Sequence, residues 1–172
     1  MFKIICLLLI FCCFCYGGYI LGERFKKRHE NLKEILKSIL LLQNEIVYNM
    51  TPLPEALFSI GTKCREPFDD LFKDVASLLS KGEGESVYDE FNNAYINKKD
   101  KFYLNKEDER VISDFLKSLG ELGVYGQEKM FNLVISNLNI NIKDSEIIAN
   151  KNTKLYRYLG ICIGAMVIIF LL

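Results

Sequence analysis

The sequence predicts an all-α protein: a membrane-anchored bundle of about six cytoplasmic helices, the first and last continuous with transmembrane segments. Three observations predict it. Both ends of the 172-residue chain are uncharged and apolar, while nearly all of its 22 basic and 22 acidic side chains lie between them. Through that middle, apolar residues recur at helical spacing and no strand-type alternation stands out. Helix-starting residues punctuate it at short intervals, and short connections favour antiparallel neighbours. The expected division is an N-terminal anchor at 4–22, a cytoplasmic helical domain at 23–157 and a C-terminal transmembrane segment at 158–172.

Residues 4–22 carry no charged side chain, and Lys3 is the only one before them. As a helix this run spans roughly 28 Å, close to the ~30 Å hydrocarbon core. A cleaved signal peptide would have a shorter apolar stretch, a more basic start and an A-x-A site, so an uncleaved anchor is expected. Phe11 before Cys12 argues against a lipoprotein. Residues 158–172 reach only about 22 Å. To cross, this helix must take in Leu155 to Arg157, with Lys154 and Arg157 snorkelling, or the bilayer must thin. A half-inserted or bundle-buried tail is the alternative. Arg24, Lys26, Lys27 and Arg28 follow the first run, and Lys151, Lys154 and Arg157 precede the second. That basic excess puts the middle in the cytoplasm and leaves essentially nothing on the far side. The same cations could bind anionic lipid.

The middle then reads in order. Leu32, Ile35, Leu36, Ile39, Leu40, Leu42, Ile46 and Val47 extend the first helix to about Asn49. Thr51 reads as an N-cap, Pro52 as the first helical residue and Glu55 as a first-turn acid. Ala56, Leu57 and Ile60 are the buried face of that short helix. Pro67 opens the next, with Phe68, Leu71, Phe72, Val75, Leu78 and Leu79 inward. Gly82-Glu83-Gly84 reads as a turn, without the strand and G-K-S/T of a phosphate loop. Ser86 caps a helix carrying Val87 and Phe91, with Tyr88, Ala94 and Tyr95 beside them. Residues 97–103 are polar and the least structured. Asn105 caps the helix of Val111, Ile112, Phe115, Leu116 and Leu119. Gly120, Gly123 and Gly126 mark a hinge. The last helix starts near Gln127, is lined by Met130, Phe131, Val134, Leu138, Ile142 and Ile148, and runs on into the second apolar run.

Chemistry is sparse. There is no H-E-x-x-H, G-x-S-x-G or Walker sequence, so no enzyme, cofactor or metal is expected. The single His29 lies in the basic flank and reads as solvated. Net charge is zero, which argues against a nucleic-acid partner. Of the six Cys, all but Cys64 lie in the apolar runs, read as lipid-facing, and a reducing cytoplasm disfavours disulfides. Acylation of Cys6, Cys12, Cys13 or Cys15 is a minor alternative. Glu107, Asp108 and Glu109 complement a helix N-terminus. They, with Lys98, Lys99, Asp100 and Lys101, are also the candidate partner surface.

Two local patterns carry a resemblance. Glu45-Ile46-Val47-Tyr48 with Thr51-Pro52-Leu53-Pro54-Glu55-Ala56-Leu57 is similar to the E-I-x-Y-x-x-T-P-L-x-E-A-L stretch of the stage III sporulation protein AB family. Lys154-Leu155-Tyr156-Arg157-Tyr158-Leu159-Gly160 resembles its K-L-Y-R-x-L-G. Leu104 with Glu107-Asp108 matches its L-x-x-E-D, and Leu119-Gly120 and Gln127 fall at its spacing. These motif positions read as structural. Where the family carries Ser-Asp, this chain has Leu122-Gly123, so that helix cap is missing. The resemblance implies a soluble domain like that of the inner-membrane platform protein, the F component of type II secretion and type IV pilus systems. It implies a non-enzymatic scaffold in the mother-cell (outer forespore) membrane, in the channel-like complex linking mother cell and forespore. Its implied partners are the stage III sporulation AA-type ATPase and other membrane components, and a homo-oligomer is compatible with that role. The competing expectation is a membrane-anchored lipid-binding or signalling adaptor unrelated to sporulation.

Overall fold

The structure is a computed structural model that describes residues 2–81, 86–119 and 124–171. Among these there is no strand, and six α-helices follow in order: α1 (Phe2–Gln43), α2 (Leu53–Gly61), α3 (Phe68–Lys81), α4 (Val87–Ile96), α5 (Lys106–Ser118) and α6 (Val124–Leu171). A π-helical turn, Asn44–Tyr48, ends α1, and a 3-10 turn, Lys99–Lys101, lies between α4 and α5. The all-α reading, with two long outer helices and four short ones between, holds. The turn at 82–84 and the hinge glycines Gly120 and Gly123 fall outside the described residues. Gly126, expected in that hinge, is inside α6.

Packing divides the chain into two compact units: Met1–His29 with Lys143–Leu172, and Glu30–Ile142. Both long helices contribute to each unit. The basic flanks thus belong to the same unit as the apolar runs.

The Glu30–Ile142 unit is a helical bundle around one apolar core. Leu32, Leu57, Ile60, Val75, Phe102, Phe131 and Leu138 are fully buried there. Full burial of a side chain of this size stabilises by about 1.5–3 kcal/mol. Aromatic rings interlock the core: Phe68 with Phe102, Phe72 with Phe91 and Phe115 with Phe131 meet edge to face at 4.9, 5.7 and 5.2 Å between centroids. Phe102 corrects the reading of 97–103 as a polar, least structured stretch. Its ring enters the core, and Asn31 Nδ2 donates to its carbonyl at 2.7 Å. Leu40 departs from the predicted stripe and is exposed, while Ser38 is buried in its place. The Ser38 hydroxyl donates back to the Glu34 carbonyl at 2.8 Å, so it enters the core satisfied. Ile148 is also exposed. On that stretch of α6 the inward positions are held by Asn141, Ser145 and Ala149.

Caps explain where the short helices begin. Ser86 Oγ accepts from the Asp89 amide at 3.1 Å. Asn105 and Asp108 form a full capping box. Thr51 does not cap α2: Pro52 holds the N-cap position, and the Thr51 hydroxyl donates to Glu45 instead.

In the other unit the two apolar stretches pack antiparallel. Gly18 lies against Tyr156 and Gly160, Gly22 against Thr153, and Gly164 against Phe11. Gly18 and Gly22, and Gly160 and Gly164, are each four apart on one helix face, the small-xxx-small arrangement that lets membrane helices approach closely. Thr153 Oγ1 donates to the Gly22 carbonyl at 3.1 Å. Both long helices are long and apolar enough to cross a membrane. Only 17% of the apolar window of α1 and 11% of that of α6 is buried, whereas the core helix of a soluble protein would be mostly covered. Cys12, Cys13 and Cys162 are exposed on them.

Candidate functional site

Three surfaces collect the residues singled out in the sequence. The first is the start of α5. Its acidic turn is divided by burial. Asp108 is fully buried. Its Oδ2 accepts from the Asn105 amide at 3.1 Å, and its Oδ1 accepts from Asn141 Nδ2 at 3.0 Å. That carboxylate ties α5 to α6 and offers nothing to a partner, which corrects its place in the docking surface. Glu109 accepts from the Tyr95 hydroxyl and pairs with Lys99, both at 2.8 Å. Burial, then the bond to Glu109, pushes the Tyr95 phenol well above its ordinary range. Glu107 is left as the exposed acid of the turn.

Glu107 stands at one side of a groove of about 460 Å³ between α5 and α6. Arg110 and Asp114 continue its α5 wall, and Leu133, Asn137 and Ile140 form its α6 wall. Leu133 and Ile140 are 62% and 57% exposed, so a pair of large aliphatic side chains one heptad apart lies uncovered. Neither was singled out from the sequence. The signal was present: the apolar positions of α6 are more than one stripe can bury, and Leu133 and Ile140 are the surplus.

The second surface is the turn at Lys98 to Lys101, and it is mostly internal bracing. Lys98 Nζ donates to Asp74 at 2.9 Å, with Asp70 at 3.9 Å. That bond to Asp74 holds the Lys98 ammonium above its usual range. Lys99 is held by Glu109. Asp100 and Lys101 are exposed.

The third is the corner after α1, where the first motif gathers around one carboxylate. Glu45 accepts from Asn49 Nδ2 at 3.2 Å, Thr51 Oγ1 at 3.1 Å, Ser59 Oγ at 3.4 Å and Lys63 Nζ at 3.4 Å. The Thr51 amide donates to the Glu45 carbonyl at 2.8 Å. Those bonds, Asn49 and Thr51 foremost, hold its carboxyl below the usual carboxylate range. They fix a tight reversal in which Met50 takes φ 54°, a region disfavoured for a side chain with a Cβ. Ala56 and Leu57 of the same motif are fully buried, Leu53 is half-buried and Glu55 is exposed. Tyr48 is 66% exposed.

The second motif lies in the paired-helix unit. Tyr156 stacks on Phe25 at 5.5 Å. Arg157 pairs with Glu23 at 3.6 Å and lies 4.9 Å over the Tyr19 ring. Gly160 gives the close approach to Gly18. Lys154 and Leu155 are exposed, as are Arg24, Lys26, Lys27 and Lys151; Arg28 and Gln127 are half-buried. His29, expected in solvent, is half-buried with Nδ1 2.9 Å from Ser145 Oγ. The two long helices run side by side at that level, so an inward His meets its neighbour. No cluster of His, Cys, Asp and Glu able to hold a metal occurs among the described residues.

The family model of stage III sporulation protein AB matches residues 3–172. The chain is similar to stage III sporulation protein AB of Bacillus subtilis (strain 168), with 25% identity over 157 residues, covering 91% of each chain. A solved structure of stage III sporulation protein AB superposes with a TM-score of 0.65 at 24% identity, over 71% of this chain and 95% of that one. A match over nearly the whole chain, joined to a shared helical fold, places this protein in the stage III sporulation protein AB family.

Proposed function

We propose that the chain is a non-enzymatic membrane platform for stage III of endospore formation, and that its α5–α6 groove docks a cytoplasmic ATPase of the stage III sporulation AA type. The uncovered pair Leu133 and Ile140 beside Glu107 carries this reading. Apolar anchors flanked by charge are what a protein partner buries at the centre of an interface. The basic flanks support an arrangement with the Glu30–Ile142 unit in the mother-cell cytoplasm, against its outer forespore membrane. The antiparallel glycine contact supports a hairpin that enters and leaves the bilayer on one side. Other membrane components of the secretion-like complex would then pack on the exposed apolar faces of that hairpin.

The test is capture of purified ATPase by the full chain in lipid nanodiscs. Leu133→Asp with Glu107→Lys should lower capture at least tenfold, while Asp100→Lys, on the other exposed turn, should leave it unchanged. Undiminished capture by the groove variant removes the groove as the docking face. Expression in vegetative cells, rather than after engulfment begins, would favour the adaptor reading.

A further inference from the structure

A second concavity, of about 470 Å³, opens between α4 and α5 on the bundle. Its floor is deep. Ile39 and Leu42 of α1 and Phe72 of α3 lie at its base, each under 9% exposed. Helical cores normally close around voids of this size, and the volume is that of a pocket holding a small molecule. Its rim is basic. Lys106 and Arg110 stand exposed on α5 and make no ion pair among the described residues, while Lys99 is already held by Glu109.

We infer that this cavity binds a single-chain amphiphile with an anionic head, a long-chain carboxylate or a lysophospholipid. The lining sets the shape and chemistry of the occupant. Asn92, Tyr95 and Ser113 line it half-buried, and of the buried lining side chains the one polar one, Ser38, spends its hydroxyl proton on the Glu34 carbonyl. A peptide threaded that deep would bring amide groups with nothing to bond, at the cost of burying unpaired polar groups. An unbranched hydrocarbon chain brings none, and Phe91 and Leu116, each under 9% exposed, add apolar lining for it to pack on. The head then stays at the mouth, between Lys106 and Arg110, which supply charge-assisted hydrogen bonds to an anion. This site is separate from the α5–α6 groove, although Arg110 borders both.

The test uses the full chain in phosphatidylcholine nanodiscs and a palmitate carrying a mid-chain diazirine. Irradiation followed by peptide mapping should place label on 87–96 and 106–116. Lys106→Glu with Arg110→Glu, both exposed and remote from the core, should cut that label at least fivefold. Ile112→Trp, which fills the cavity from a half-buried position, should abolish it, with unchanged far-ultraviolet circular dichroism as the check on folding. Unlabelled palmitate or lysophosphatidylglycerol should compete, and the stronger competitor identifies the head group. Competition by hexadecanol equal to palmitate, label confined to 2–29 and 143–171, or label insensitive to both variants would overturn the inference. So would displacement by an acidic peptide and not by either anionic lipid.

Discussion

Gly18→Ala offers a direct measure of how closely the two apolar helices depend on each other. A methyl at Gly18 would stand 2.6 Å from the Tyr156 carbonyl oxygen and 3.0 Å from the Gly160 Cα. Ordinary contact begins at 3.4 Å, and both obstacles are backbone, so no side-chain rotation relieves them. The helices must separate by roughly 0.8 Å, and a gap of that order forfeits a quarter to a half of each contact along the seam. Overpacking of this kind costs about 1–3 kcal/mol, or about 5- to 150-fold in the paired-to-parted equilibrium. Gly17→Ala is the control on the adjacent residue, because nothing lies within 4 Å of its new methyl. Both substitutions change helix propensity alike, so their difference isolates the clash. Dyes attached at the two chain ends report helix separation by energy transfer as SDS is titrated into micelles. Gly18→Ala should part at a clearly lower SDS fraction than Gly17→Ala. Coincident midpoints would refute the close glycine seam.

The remaining predictions concern the Glu30–Ile142 unit. Asp108→Ala removes a helix cap and strands the buried Asn141 amide, and should cost about 2–3 kcal/mol in thermal unfolding, whereas Glu107→Lys, which only reverses an exposed first-turn charge, should cost no more than about 1 kcal/mol. Equal effects would contradict the division of that turn by burial. Glu45 has a depressed folded pKa, so its stabilisation is present above the unfolded value of 4.5 and lost as pH falls through the folded one. The melting difference between the chain and Glu45→Gln should be largest near neutrality and shrink below pH 4.5. A difference independent of pH would contradict the carboxylate's hub role. Burial pushes the Cys64 thiol up, so iodoacetamide should modify it more slowly in the native chain than after unfolding in urea. Equal rates would place Cys64 in a solvated setting.

Much of the fold was legible because the physics is local. Apolar periodicity located the four short helices, and Ser86 and Asn105 marked starts that their side-chain bonds then explain. Thr51 misled for a reason the sequence does not display: a carboxylate six residues earlier competes for its hydroxyl. Phe102 was hidden in a charged stretch, where one inward ring leaves no period. Asp108, Asn141 and Ser145 were missed as interior groups because composition marks polar residues as surface until their partners are known. The glycine seam was readable as two G-x-x-x-G patterns, Gly18 with Gly22 and Gly160 with Gly164, but their mutual packing is tertiary. Of the candidate site, the acidic turn was found and then narrowed to Glu107. The groove needed α5 and α6 side by side before Leu133 and Ile140 became a surface.

The most direct measurement is the side of the membrane on which the Glu30–Ile142 unit lies. Asn139, exposed on α6, becomes Cys in a chain whose own six cysteines are Ser. An impermeant maleimide should leave this thiol unlabelled in intact sporulating cells and label it once the mother-cell membrane is opened. Labelling in intact cells would put the helical unit outside, beyond reach of any cytoplasmic ATPase, and the platform reading would fall with it.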